Sequence, residues 1–196
     1  TSQKSITKEL KLVFGLLTQK PQTSTLTSDR LERLWVGKIN LKEQILQKIQ
    51  DEIIEAEAGR KAEIFLKMNN LEEEVVINAL YHASQKGVKI RLLVRGICRL
   101  IPGVKGQSER ITLKRIVDHY LEHGRVFSFH AAGKELVYLG SADWMDRNLN
   151  RRIEICFPIL DQALKEEVQN LLEIQWKDNL KAHTFPKPMH SITEKP

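Results

Sequence analysis

The sequence predicts an α/β fold, and three features carry that prediction. Two apolar runs at residues 62–68 and 88–94 flank an amphipathic stretch at 71–86 that stops at Gly87, the pattern of strand, helix and strand. Residues 125–129 and 135–139 read as two further strands, joined by Ala131-Ala132-Gly133-Lys134. Helical periodicity recurs at both ends of the chain, which supplies layers to cover a sheet.

In chain order, Ser5 is placed to cap a helix whose apolar residues Ile6, Leu10, Val13, Phe14 and Leu17 recur at helical spacing. Residues 20–30 are polar and patternless, and read as a linker. Residues 31–36 suit a short strand. Leu41, Ile45, Leu46, Ile49, Ile53 and Ile54 mark a long amphipathic helix that ends before Gly59. A strand that follows a helix and a glycine pairs parallel with the strand before that helix, so 62–68 and 88–94 are expected side by side. Arg95-Gly96 then falls just past a strand's carboxyl end, where open α/β sheets keep their ligand sites. Residues 101–109, with Pro102, Gly103 and Gly106, read as a loop. Residues 152–158 alternate as a last strand, and Asp161 caps a final helix through Leu171, Leu172, Ile174 and Trp176. The tail from Pro186 onward is expected to fray.

The chain of 196 residues suits one domain with a helical preface. Hydrophobic residues at 41% and charged residues at 29% exclude a disordered or collagen-like chain. Lys and Arg outnumber Asp and Glu by 31 to 25, a net charge of +6 that favours polyanionic partners such as phosphates, nucleic acid or an acidic membrane surface. Aromatics are only 6% and no aromatic array interleaves with basic residues, which argues against a specific nucleic-acid binder. Cys98 and Cys156 lie in apolar runs without metal or disulfide spacing, and read as reduced, buried thiols of a cytosolic protein. No apolar run approaches the ~18 residues of a membrane span. No charged segment followed by an apolar stretch opens the chain, so no signal peptide is expected. The first residue is not Met, and the chain is expected to be a fragment.

There is no Walker loop, GxSxG, HExxH or metal-spaced Cys/His set. What stands out is Arg and His at predicted strand ends: Arg95, His123, Arg125, Arg147, Arg151 and Arg152. Arg suits phosphate because its planar fork donates two parallel hydrogen bonds. His adds a donor whose protonated form a neighbouring phosphate favours. Spacing alone leaves a second reading open, in which Arg95 and His123 are surface residues and Arg147 and Arg151 pair with nearby carboxylates. His82, His119, His130, His183 and His190 show no partner pattern and are assigned no role.

His123-x-Arg125 followed by Leu139-Gly140-Ser141-Ala142-Asp143-Trp144 resembles the HxK…GSxN strand–turn–strand of the phospholipase D superfamily, where a histidine attacks phosphorus. The likeness is degenerate: Arg125 replaces Lys, and His130 stands where that motif carries Asp.

A longer resemblance begins at Lys67-Met68-Asn69-Asn70-Leu71. It runs through Ala79-Leu80-Tyr81-His82-Ala83-Ser84-Gln85-Lys86-Gly87-Val88-Lys89-Ile90 and Leu93-Val94-Arg95-Gly96-Ile97-Cys98-Arg99-Leu100-Ile101-Pro102-Gly103. It continues in Tyr120-Leu121-Glu122-His123-Gly124-Arg125 and Ser141-Ala142-Asp143-Trp144-Met145-Asp146-Arg147-Asn148-Leu149-Asn150-Arg151-Arg152. In order and spacing these closely resemble the C-terminal domain of the polyphosphate kinase family that works through a phosphohistidine, from about Thr7 to Ala182.

The resemblance implies a phospholipase-D-like domain with a mixed central sheet flanked by helices and preceded by a helical segment. Residues 1–30 would be the helix and linker from the junction with a preceding domain, 31–184 the catalytic-core domain, and 185–196 a flexible tail. It implies reversible transfer of the terminal phosphate of ATP to polyphosphate. The nucleophilic histidine, an adenine-stacking tyrosine and the arginines that hold magnesium would lie in the missing preceding domain, so this fragment alone is expected to be inactive. The family's ATP-contacting arginine falls on Arg95, its second histidine on His123, and a further phosphate-contacting arginine on Arg152. Lys67, Arg125 and Arg147 are further candidates for polyphosphate contacts. Residues 36–42 depart from the family, whose members tend to carry a Pro-Phe pair and an arginine there. Implied partners are ATP or ADP, inorganic polyphosphate, the preceding domains and further copies of the chain. The implied setting is the cytoplasm, with peripheral contact at the inner face of the membrane. The alternative is a phospholipase-D-like phosphodiesterase with His123 as nucleophile.

Overall fold

Buried apolar side chains at every fourth position set the longest helix. Leu41, Ile45, Ile49 and Ile53 form one stripe of α2 (Leu41–Glu57), each at most 3% exposed, and the chain leaves the helix through Gly59 at φ +72. The computed structural model describes residues 3–18, 27–117 and 119–185. The other helices are α1 (Lys4–Thr18), α3 (Glu74–Gln85) and α4 (Gln162–Lys177). The strands are β1 (Trp35–Val36), β2 (Glu63–Met68), β3 (Lys89–Val94), β4 (Ile111–Ile116), β5 (Val126–Phe129), β6 (Leu136–Gly140), β7 (Ile155–Pro158) and β8 (Ala182–Thr184).

All eight strands join one sheet in the order β1-β7-β6-β5-β2-β3-β4-β8. The expected parallel pair is present, with Glu63 opposite Lys89 and Met68 opposite Val94, and β4 extends it in parallel. β5 runs antiparallel to β2 and to β6, and β7 antiparallel to β6. The sheet is therefore mixed and the fold α/β, as expected.

Period-two alternation sends Ile64, Leu66 and Met68 into a core shared with α2 and α3. Phe65 faces the other way, packing with Leu93, Ile116, Val126, Val137 and Leu172 of α4. A third cluster joins Ile6 and Val13 of α1 to Leu31, Leu34 and Val36.

Several boundaries differ from expectation, each for a local reason. Only Trp35 and Val36 of the 31–36 run pair as a strand, because the Arg33 and Leu34 N–H groups donate instead to the Glu9 carboxylate of α1, the latter at 2.8 Å. α1 begins at Lys4, so Ser5 lies inside its first turn and does not cap it. α3 starts at Glu74, later than the predicted 71, because the N–H groups of Leu71, Glu72 and Glu73 are taken by the carbonyls of Ile97 and Trp144. Glu73 caps it, accepting from Val76 N–H at 2.7 Å. The last predicted strand is shorter too, and 152–154 form part of a loop. Strands β4 and β8 were not anticipated. Asp161 does cap α4, accepting from Leu164 N–H at 3.0 Å. Most of the predicted linker and the tail from Pro186 lie outside the described residues.

Candidate functional site

The registers bring the carboxyl ends of β2, β3, β4 and β6 to the same edge of the sheet as the amino ends of β5 and β7. Loops 69–73, 95–100, 119–125 and 141–154 all open there. Arg95 lies immediately past β3, His123 shortly before β5 and Arg152 shortly before β7. From β7 to β3 the sheet crosses β6, β5 and β2, four spacings of ~4.8 Å or roughly 19 Å.

The loop bearing Arg95 is held by its backbone. Gly96 N–H donates to the Asn69 carbonyl at 2.7 Å, and Ile97 N–H to Asn70 Oδ1 at 2.8 Å. A Cβ on Gly96 would sit 2.5 Å from that Oδ1, so the approach requires glycine. From β4, Arg115 Nη2 donates to the Gly96 carbonyl at 2.7 Å. The Arg95 guanidinium is half-buried and makes no hydrogen bond or ion pair among the described residues.

Arg152 and Arg147 are exposed, and neither side chain has a partner among the described residues. Arg147 opens a single π turn, Arg147–Arg151, a wide turn common at functional sites. Arg151 pairs with Asp146 at 3.1 Å, the ordinary reading. Gly37 forms the floor of this loop: its N–H donates to the Glu154 carbonyl at 2.8 Å and Lys38 N–H to that of Leu149 at 2.9 Å. A Cβ on Gly37 would press into the backbone carbonyls of Arg152 and Asn148.

Lys67 and Arg125 are placed differently. Lys67 Nζ is nearly buried, 2.6 Å from Glu122 and 2.7 Å from Gln175 of α4. Arg125 gives Nε and Nη2 to the two oxygens of Asp143, both at 3.0 Å. Both cations lie at the site edge, yet each is already neutralised by a carboxylate.

Sequence reasoning missed Asp143, although the motif containing it was singled out. Buried at 4% exposure, its carboxylate also accepts from Asn69 N–H at 2.8 Å and Asn70 Nδ2 at 3.3 Å. It thus joins the β2 turn to the β5 entry. The signal was its place in Gly140-Ser141-Ala142-Asp143, at the end of a strand.

Cys98 and Cys156 are free thiols, and burial raises the pKa of both, so neither supplies a thiolate nucleophile. Among the described residues no group of His, Cys, Asp and Glu is arranged to hold a metal ion. The buried carboxylate nearest the arginines, Asp143, is filled by its four donors.

A mixed sheet flanked by helices, with partner-free arginines at one edge, makes this an α/β domain of phospholipase-D-like fold. Its chain path matches the phospholipase D family member Nuc from Salmonella typhimurium, with TM-score 0.54 over 78% of this chain and 97% of that one, at 14% identity, a likeness of fold alone. The chain belongs to a narrower family: the profile described as Polyphosphate kinase C-terminal domain 2 matches residues 34–192. The polyphosphate kinase of Vibrio cholerae is 41% identical over 189 residues, 96% of this chain and 26% of that protein. The crystal structure of polyphosphate kinase from Porphyromonas gingivalis superposes with TM-score 0.87 at 41% identity, over 100% of this chain and 30% of that one. The chain thus spans between a quarter and a third of these relatives' length.

Proposed function

We propose that this chain is the C-terminal part of an ATP:polyphosphate phosphotransferase, and that Arg95, His123 and Arg152 hold the phosphates of ATP and polyphosphate during reversible transfer. The observation that carries this reading is the pair Arg95 and Arg152, free of partners on one edge of the sheet in a chain of this family. Their separation across four strand spacings suits an elongated polyanion better than one phosphate.

Transfer of a terminal phosphoryl group passes through a loose transition state, so catalysis rests on positioning and on charge stabilisation. Arg95 and Arg152 supply fixed cations to the phosphate oxygens, and His123 donates a proton or hydrogen bond to the leaving or entering phosphate. Arg147 extends the cationic edge for further phosphates, whereas Lys67 and Arg125 contribute less because Glu122 and Asp143 offset them. The phosphorylated histidine, in this reading, belongs to a preceding domain of the same polypeptide. Magnesium neutralises phosphate charge when bound. In this reading the ion would be held mainly by residues outside this chain. Among the described residues no helix is long and apolar enough to cross a membrane. We place the enzyme in the cytoplasm, as an oligomer, with peripheral contact at the membrane's inner face.

Mapping acid-labile phosphate in the full-length enzyme after brief exposure to γ-labelled ATP tests this. Label is expected on a histidine outside this chain, and still forms when His123 is replaced by Ala while steady-state synthesis collapses. Label on His123 itself would support a phospholipase-D-like nucleophile in its place.

A further inference from the structure

Three residues at this edge form a chain of contacts that phosphate binding alone does not explain. Arg125 Nη1 lies 3.4 Å from His123 Nδ1, and Arg125 Nη2 lies 3.2 Å from His123 Nε2. The lone pairs of the two ring nitrogens diverge in the plane of the imidazole, so one guanidinium fork cannot hydrogen-bond to both. Which of the two nitrogens accepts depends on the tautomer of the ring, and either way the fork reaches the imidazole within hydrogen-bond distance. Three of the five guanidinium donors are engaged elsewhere, since Nε and Nη2 bind Asp143 and Nη1 donates to the His123 carbonyl at 3.1 Å, which leaves one N–H on each terminal nitrogen for the ring.

A ring that accepts from Arg125 at one nitrogen carries its N–H on the other, and His123 is exposed, so that N–H can meet a phosphate oxygen. The charge of Arg125 is offset by Asp143, so the contact orients the ring with little net charge beside it. The brace is rigid where the ring is not: the side chains of Arg125 and Asp143 are only 12% and 5% exposed.

We propose, on the reading of His123 as a phosphate-facing group, that Arg125 and Asp143 are positioning residues for it. Asp143 fixes the guanidinium, and the guanidinium fixes the imidazole with its remaining nitrogen open to phosphate oxygens. Arg125 then serves the reaction through His123 and not as a polyphosphate contact.

The test is a set of double-mutant cycles in the full-length enzyme, read as kcat and as KM for ATP. Arg125→Lys keeps a cation beside Asp143, and with it the fold, but has no fork to reach both Asp143 and the ring. It is expected to lower kcat by about 100-fold, the cost of a misplaced catalytic group, with KM changed less than about threefold. In a His123→Ala background the same change should cost less than about threefold more, because the ring it positions is gone. Asp143→Asn should behave as Arg125→Lys does, and combining the two should add little. Thermal unfolding midpoints near wild type confirm that folding is intact. Equal losses with and without His123, or wild-type kcat in Arg125→Lys, would overturn the proposal. Wild-type turnover in His123→Ala alone would overturn the role of His123 and this inference together.

Discussion

The two ends of the sheet differ in how fully their basic side chains are paired. At the end remote from the candidate site, Lys61, Lys89, Arg91 and His130 surround a cavity of about 550 Å³ between the sheet and α4. There every cation has an acidic partner. Glu63 meets Arg91 at 2.8 Å and Lys89 at 3.5 Å, Glu173 meets Arg91 at 2.6 Å, and Glu135 meets His130 at 2.5 Å. Arg91 also lies 4.0 Å over the Phe65 ring. At the site end Lys67, Arg125 and Arg151 are paired too, but Arg95, Arg147 and Arg152 have no such partners among the described residues. This unpaired set is what separates the two ends. Paired cations hold α4 to the sheet, while unpaired ones keep their attraction for a ligand.

The largest expected effect breaks this comparison by removing an unpaired cation. In the full-length enzyme, Arg95→Ala and Arg152→Ala should each lower turnover by about two to three orders of magnitude, the usual cost of a lost preorganised donor. Lys89→Ala, at the other end, should change it less than about twofold in the same assay.

Stability should show the reverse. Arg91→Ala strands Glu173, leaves Glu63 only the longer contacts to Lys89 and Lys61, and should cost about 2 kcal/mol in urea unfolding, less than a fully buried pair because Glu173 still meets water. Arg95→Ala, which breaks no contact, should leave the urea midpoint near wild type.

Gly37→Ala sharpens the comparison at the site end. Its methyl group displaces the carbonyls of Asn148 and Arg152, which should lower turnover by about tenfold through misplacement of Arg152. Steady-state kinetics alongside Arg152→Ala checks this, since the two changes should not add.

The smallest effect belongs to Glu52 at the remote end. Its carboxylate accepts from Ala131 N–H at 2.6 Å and Glu63 N–H at 3.1 Å, and burial raises its pKa above the ordinary 4.5. The folded state therefore binds that proton more tightly than the unfolded one. Its contribution to stability is greatest in acid and declines as pH rises from about 4.5 through the folded value. Urea midpoints across that range should show a shallower slope in Glu52→Gln.

Much of the fold was legible because its signals are local. The stripe of α2, the Gly87 stop (φ +104) and the Asp161 cap each lie within a few residues of what they determine. β4 was missed although Ile111, Leu113 and Ile116 are buried, because charged Lys114 and Arg115 interrupt its alternation. Those charges have distant uses: Lys114 approaches the Trp176 carbonyl and Arg115 the Gly96 carbonyl. At the site, Arg95, His123 and Arg152 were marked by strand ends and by family likeness. No one-dimensional pattern tells that Arg125 is spoken for by Asp143 while Arg95 is free. That distinction depends on contacts across 18 residues of sequence for one and on their absence for the other.

The fit of Gly37 against the loop ahead of β7 also says something about sequence of events during folding. The π turn carrying Arg147 accepts an N–H from Lys38 at Leu149, and Glu154 just past it accepts one from Gly37, both donors following β1, which lies beside β7. Late-synthesised residues thus take their final shape against early-synthesised ones. A truncation that removed Trp35 to Lys38 would strip the Trp35 ring from Tyr138 in the core and leave Arg152 on an unsupported loop. The shortest piece of this chain able to present Arg152 correctly must therefore begin upstream of β1.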